Sequence, residues 1–238
     1  VLRIVGAYVV FALLWIFISD RTLLLISPEI DSFLIGQTWK GYFFVIVSAG
    51  LLFLVLWKEN HHRDETWEQH NKNLIAAWDA TIEGWARTIE LRDKDTRYHS
   101  DRAVDLTIQI AKQMGIKDDQ ELRYIRWGAL LHDIGKIGVP DEILNKPGKL
   151  TPEEREIVNQ HPVLASKLLS DVEYLKPIIG IPLYHHEKWD GTGYPEGRKE
   201  DEIPLSARIF AVVDVWDAMT SDRPYRSAIS EYDAVKFI

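Results

Sequence analysis

The chain has 238 residues, of which 36 are acidic and 28 basic, for a net charge of −8. That balance argues against a binder of nucleic acid polymers, which are held by a basic field, but leaves open a small phosphate ligand held by local cations or metals. The sequence contains no cysteine, so disulfides and thiolate metal sites are excluded and any metal must be held by His, Asp or Glu.

Two uncharged apolar runs open the chain, Ile4 to Ser19 and Gly41 to Trp57. At ~1.5 Å per residue each covers roughly 25 Å as a helix, enough for a bilayer core once flanking residues are added. Trp39, Tyr42 and Trp57 suit the interfacial aromatic belts. The short segment Asp20 to Lys40, with Pro28, Glu29 and Asp31, reads as the external connection. Lys58, His61, His62 and Arg63 follow the second run and place the C-terminal part in the cytoplasm, and Arg3 agrees. No small-x-small cleavage site follows the first run and Arg21 comes at once, so residues 1–60 are expected to form a transmembrane hairpin and not a signal peptide.

Residues 61–88 are expected to form a linker helix. From Asp64 to Leu91 the apolar residues Trp67, Leu74, Trp78, Ile82, Trp85 and Ile89 recur at helical spacing. This helix is placed either to pair with a second subunit as a homodimer or to pack its second half on its own domain. Beyond Arg92 the pattern is of short helices. Asp118 or Asp119 caps a helix expected to run to Ile134. Thr151-Pro152-Glu153-Glu154 is a helix start with a capping box. Pro177 and Pro182 interrupt the next apolar segment, and a helix is expected over Ser206 to Met219. No strand-like alternation occurs, so the fold class is all-α.

Of eight histidines, His61, His62 and His70 read as a solvated face beside the membrane. The others are His99, the dipeptide His132-Asp133, His161 and the pair His185-His186. His132-Asp133 ends an apolar helical stretch, Trp127 to Leu131, and Asp214 follows another, Ile209 to Val213. A carboxylate emerging at the edge of a core needs a partner or a metal. Imidazole and carboxylate suit Fe, Mn, Ni, Co or Zn, and a carboxylate flanked by several histidines can bridge two ions that activate water. Gly191, Gly193 and Pro195 suit an irregular loop with positive φ or close backbone approach.

His132-Asp133-Ile134-Gly135-Lys136-Ile137-Gly138 resembles the signature of HD-domain phosphohydrolases, and His185-His186-Glu187-Lys188-Trp189-Asp190-Gly191-Thr192-Gly193-Tyr194-Pro195 resembles the stretch that defines the HD-GYP family. The similarity extends from Ile89 to Arg226, taking in Glu90 to Thr96 and His99. It implies an HD-type helical bundle over residues 89–238, and a phosphodiesterase, membrane-anchored by the expected hairpin, that hydrolyses cyclic di-GMP to linear pGpG, GMP or both, by attack of a metal-bridging hydroxide. The implied cofactors are two divalent transition-metal ions, Fe or Mn foremost. One is assigned to His99, His132, Asp133 and Asp214; Asp133 bridges to a second, assigned to His161 and His185 with His186. A third ion would use Asp95, which stands where some relatives have glutamate. Asp133 and Lys136 are the implied catalytic residues. Lys136, Arg223 and Arg226, which by composition alone would be surface charges, are the implied substrate-phosphate contacts. The implied setting is a bacterial inner membrane, with diguanylate cyclase-type signalling partners.

Two features depart from the family pattern. Ala165 replaces a common glycine after His161, and Ile238 precedes the last helices of the family, which implies a bundle incomplete at its C-terminus. The alternatives are an HD phosphohydrolase for another nucleotide and a non-catalytic scaffold that binds nucleotide or protein. The completeness of the two-metal ligand set favours an enzyme.

Overall fold

The computed structural model describes residues 2–26, 30–93, 100–221 and 227–238, for a few of them only the backbone. Among these residues every regular element is helical, as the absence of alternating segments predicts. By internal contacts the chain divides into two compact units, Val1–Ile75 and Ala76–Ile238.

The first unit holds helix α1 (Leu2–Ile26) and the leading part of helix α2 (Ile30–Arg92). The two apolar runs pack through aromatic rings, with Phe11 on Phe44 at 6.0 Å and Trp15 on Phe43 at 5.4 Å. Most of the remaining apolar surface, including Phe17, Ile46, Phe53 and Leu54, is exposed. Both helices are long and apolar enough to cross a membrane, and Val5–Thr22 has mean hydropathy 1.5. The helices run further than the apolar runs alone predict. Much of Asp20 to Lys40, expected as a connection, is helical, and Lys40 pairs with Asp20 there while Gln37 Nε2 donates to the same carboxylate at 3.3 Å. The predicted linker likewise does not begin afresh after residue 60, because nothing between Trp57 and Asp64 breaks a helix and the turns join in α2.

The second unit begins with the last turns of α2, where Ile82, Ala86 and Ile89 are buried on one face. Their spacing of four and three places them in one stripe, so this half of the linker packs on its own domain. The unit continues with α3 (Ser100–Gln113), α4 (Asp119–Leu130), α5 (Asp141–Leu144), α6 (Pro152–Val158), α7 (His161–Ser170), α8 (Gly180–Tyr184), α9 (Leu205–Thr220) and α10 (Glu231–Phe237). Helix α3 packs on α4 and α9, and α8 lies against α4, α7 and α9. Trp127 and Phe210 are fully buried in the core, and Trp127 Nε1 donates to the Asp79 carboxylate at 2.6 Å. Truncating such a side chain costs about 3–5 kcal/mol.

Local signals set the helix ends. Asp118 caps α4 by accepting from the Glu121 amide at 2.8 Å. Thr151 and Glu154 form the expected capping box at α6, with Pro152 in its first turn. One expectation fails: α4 stops at Leu130 and does not reach Ile134. The chain turns through His132 and Asp133 into a 3-10 helix, Ile134–Gly138, which packs against α7. Gly135 permits that approach, since a Cβ there would lie 1.9 Å from the His161 carbonyl oxygen and 2.6 Å from the Ala165 amide. Periodicity continues through this turn because its side chains are still buried, so the apolar pattern alone does not reveal the break.

Candidate metal centre

The turn after α4 and the starts of two other segments bring five predicted side chains into one buried cluster. His132 and Asp133 come from the turn, His161 opens α7, and His185-His186 follow α8. His132, Asp133, His161 and His185 are all buried.

The ring orientations follow from backbone hydrogen bonds. His132 Nδ1–H donates to the Ala129 carbonyl at 2.7 Å, and His161 Nδ1–H donates to the Val158 carbonyl at 2.8 Å. His185 Nδ1–H is shared between the Ile181 and Pro182 carbonyls, both at 3.1 Å. A carbonyl only accepts, so each Nδ1 carries the proton and each neutral ring presents an Nε2 lone pair. These lone pairs converge: the Nε2 atoms of His161 and His185 are 3.4 Å apart. Two lone pairs at that distance repel unless a cation lies between them, and carbonyl-anchored imidazoles are the usual form of metal-ligating histidine.

Asp133 extends the cluster. Its Oδ2 lies 3.1 Å from His132 Nε2 and its Oδ1 lies 3.4 Å from His161 Nε2. One carboxylate therefore turns a separate oxygen toward each of two imidazoles, the arrangement a bridging ligand requires. His161, His185 and His186 each offer an atom within 4.8 Å of the others, close enough for a single ion to engage all three. The donor set, imidazole and carboxylate without thiolate, fits a divalent transition metal. Asp214 lies on α9, partly buried, and its charge acts on His185 and His186.

The electrostatics agree. Burial, reinforced by the neighbouring rings, pushes His185 well below the ordinary imidazole range and His186 down to about 4, and burial also lowers His161. These rings stay neutral and free to ligate at neutral pH. Burial works against the Asp133 charge, but the positive charge facing it, the Lys136 ammonium included, outweighs burial and holds the carboxyl well below the usual carboxylate range. Lys136 Nζ sits 2.7 Å from Asp133 Oδ2 and 2.7 Å from Asp93 Oδ2. Those two carboxylates overcome burial and raise its pKa above the ordinary value.

The loop after His186 is fixed to the centre. Gly191 has φ +79°, and a Cβ on Gly193 would lie 2.4 Å from the Lys188 amide nitrogen, so the two glycines serve the two purposes their residue type suggests. Glu187 Oε1 accepts from the amides of Glu196 at 2.8 Å and Gly197 at 3.0 Å. The Tyr194 ring stacks on His186 at 4.7 Å, and burial with the Asp133 charge keeps its phenol protonated.

His99, Asp95, Arg223 and Arg226 lie outside the described residues. Sequence reasoning passed over Asp93 and Glu187, each quoted within a motif without a role. The signal for Asp93 was its register, four residues after Ile89 on the buried stripe of α2, where an acidic side chain requires a partner.

The sequence matches the HD domain family over residues 71–238. The chain belongs to this family, and within it to the HD-GYP type. It is 49% identical over 142 residues to a cyclic di-GMP phosphodiesterase of Thermotoga maritima, covering 58% of this chain and 38% of that protein. It is 39% identical over 148 residues to a Vibrio cholerae protein named 3'3'-cGAMP-specific phosphodiesterase 3, covering 62% of this chain and 32% of the other. A solved HDG"Y"P protein from Bdellovibrio bacteriovorus superposes with a TM-score of 0.50 at 26% identity, covering 60% of this chain and 46% of that one. The chain thus spans about a third to two-fifths of the length of these curated relatives.

Proposed function

We propose that this chain is a membrane-anchored, metal-dependent phosphodiesterase that hydrolyses cyclic di-GMP to pGpG, GMP or both. The observation that carries the reading is the convergence of His132, Asp133, His161, His185 and His186, with the Nε2 atoms of His161 and His185 3.4 Å apart and Lys136 2.7 Å from Asp133. Such a cluster is suited to phosphoester hydrolysis, and two relatives named for cyclic-dinucleotide cleavage support that substrate class.

Divalent ions, when bound, would acidify water and offset charge on the phosphate oxygens. His161, His185 and His186 would hold one ion, and His132, Asp133 and Asp214, with His99, a second shared through Asp133. Asp95 is the remaining candidate ligand, and Fe or Mn are the ions the resemblance to the HD-GYP family implies. The chain's own part is to keep the ligating imidazoles of His161, His185 and His186 neutral, to keep Asp133 ionised, and to present the Lys136 ammonium to a phosphate oxygen as a point charge. Arg223 and Arg226 would add further phosphate contacts. The apolar helices α1 and α2 would anchor the domain at the inner face of a bacterial membrane, and the linker could contribute to a homodimer. The relative named for cGAMP supports a second reading, in which a mixed-base cyclic dinucleotide is the preferred substrate.

The test is to purify the full chain in detergent, load it with Mn or anaerobically with Fe, and separate the products from cyclic di-GMP and from 3'3'-cGAMP. Metal-dependent linear product, absent from Asp133→Ala, supports the proposal. A folded, metal-loaded protein inert toward both would sink it in favour of another nucleotide or a binding role.

A further inference from the structure

We propose that Asp93, backed by Arg92, is a positioning residue that fixes the Lys136 ammonium for phosphate. The inference rests on the phosphate role proposed for Lys136 and adds a device that controls it.

Consecutive residues at the end of α2 grip Lys136 at both of its ends. Arg92 Nη1 donates to the Lys136 carbonyl at 2.8 Å and Arg92 Nε donates to the Asp141 carboxylate at 2.8 Å. Asn145 Nδ2 in turn donates to the Arg92 carbonyl at 3.3 Å. These bonds tie the 3-10 turn and the start of α5 to the end of α2. At the other end of Lys136, Asp93 Oδ2 accepts from Nζ at 2.7 Å, and Asp93 itself is 4% exposed.

The number of donors makes the arrangement specific. An ammonium has three N–H groups. One faces Asp133 and one faces Asp93, which leaves the third direction for a phosphate oxygen. The charges point the same way. Asp133 is the carboxylate proposed to be shared with cations, and like charges would push an unanchored ammonium away from them. Asp93 supplies a second, separate counter-charge at Nζ, which holds the lysine in place whatever Asp133 binds. A lysine stem is otherwise flexible, and restraining it beforehand removes ordering cost from substrate binding.

The alternative is that Asp93 only closes the end of α2. The two are separated by a double-mutant cycle in the full chain: Asp93→Asn, Lys136→Met and both together, with Asp93→Glu as the charge-keeping control. The first readout is the affinity of the metal-loaded protein for inorganic phosphate by calorimetry, which does not depend on turnover. Metal content and thermal midpoint are measured beside it. The expected result is that Asp93→Asn keeps its metal and loses about tenfold in phosphate affinity. Lys136→Met loses at least as much, the double variant loses no more than Lys136→Met alone, and Asp93→Glu recovers part of the loss. Unchanged phosphate affinity in Asp93→Asn, or full additivity in the double variant, would overturn the proposal. A wild type that binds phosphate but does not cleave cyclic di-GMP refutes the substrate and leaves this cycle readable. A wild type that binds no phosphate refutes Lys136 and Asp93 together.

Discussion

His161 and His185 face each other with their Nε2 atoms 3.4 Å apart, each ring turned by a hydrogen bond from Nδ1 to a backbone carbonyl one turn earlier. Three helix ends impose this geometry, and it presents two unprotonated nitrogens to one point. His161→Ala or His185→Ala should therefore each remove bound metal and lower turnover by at least about a hundredfold, whereas Asn at either position, with no Nε2 in place, should do no better. Metal per chain, read by mass spectrometry, is the check. Full metal content in either alanine variant would contradict the proposed ligand set.

The depressed imidazoles predict how the metal-free domain responds to acid. His186 has an ordinary value of 6.5 and a folded value of about 4. The unfolded chain therefore takes up this proton at higher pH than the folded one. Stability from the neutral ring is complete above about pH 6.5 and is lost as pH falls toward about 4, for His186 by at most about 3 kcal/mol. Thermal midpoints of the metal-free protein across that window should fall more steeply than those of His186→Asn. Parallel curves would show that the ring is not held neutral.

Two glycines in the same turn should tolerate alanine very differently. At Gly135 the new Cβ would meet backbone atoms, the His161 carbonyl at 1.9 Å and the Ala165 amide at 2.6 Å, whereas at Gly138 it would meet the Leu164 Cδ1 methyl at 2.7 Å. Backbone at the root of α7 cannot yield without moving His161, while a leucine tip can rotate. Gly135→Ala should cost upwards of about 3 kcal/mol and weaken metal retention, and Gly138→Ala should cost under about 1.5 kcal/mol. Denaturant unfolding compares the two, and equal losses would refute the packing argument.

Glu187 should govern the mobility of the loop beyond the metal centre. Its Oε1 accepts from both the Glu196 and Gly197 amides while the residue stays buried. Glu187→Ala leaves both donors unpaired and should cost about 3 kcal/mol, with fast exchange at those amides. Glu187→Gln retains an acceptor oxygen and should preserve most of the protection. Hydrogen exchange across residues 190–198 tells the variants apart, and full protection in the alanine variant would mean the clamp is elsewhere.

The extent to which the sequence could be read differs from element to element. The helical class, the α6 capping box at Thr151 and Glu154, and the core positions Trp78, Ile82 and Ile89 of α2 are local patterns, and all are present in the fold, whereas Trp67, Leu74 and Trp85 of the same periodic set are exposed. The end of α4 was not legible, because Leu131 and Ile134 remain buried on both sides of the break and apolar periodicity does not register a change from α to 3-10 geometry. The extent of α2 was missed for a related reason. Charge marks where an apolar run ends, but a helix ends only at a breaker or a cap.

By itself the sequence determined the chemistry on offer: histidine and carboxylate ligands without thiols, in family-like motifs on an all-helical chain with two apolar segments. Those properties depend on residue type and near-neighbour spacing. Only the tertiary structure decided which nitrogen of His132, His161 and His185 faces inward, that the two oxygens of Asp133 divide between His132 and His161, and that Asp93 meets Lys136 across 43 residues. Those are contacts between segments distant in the chain, set by how α2, α7 and α8 pack around one turn, and no local pattern encodes them.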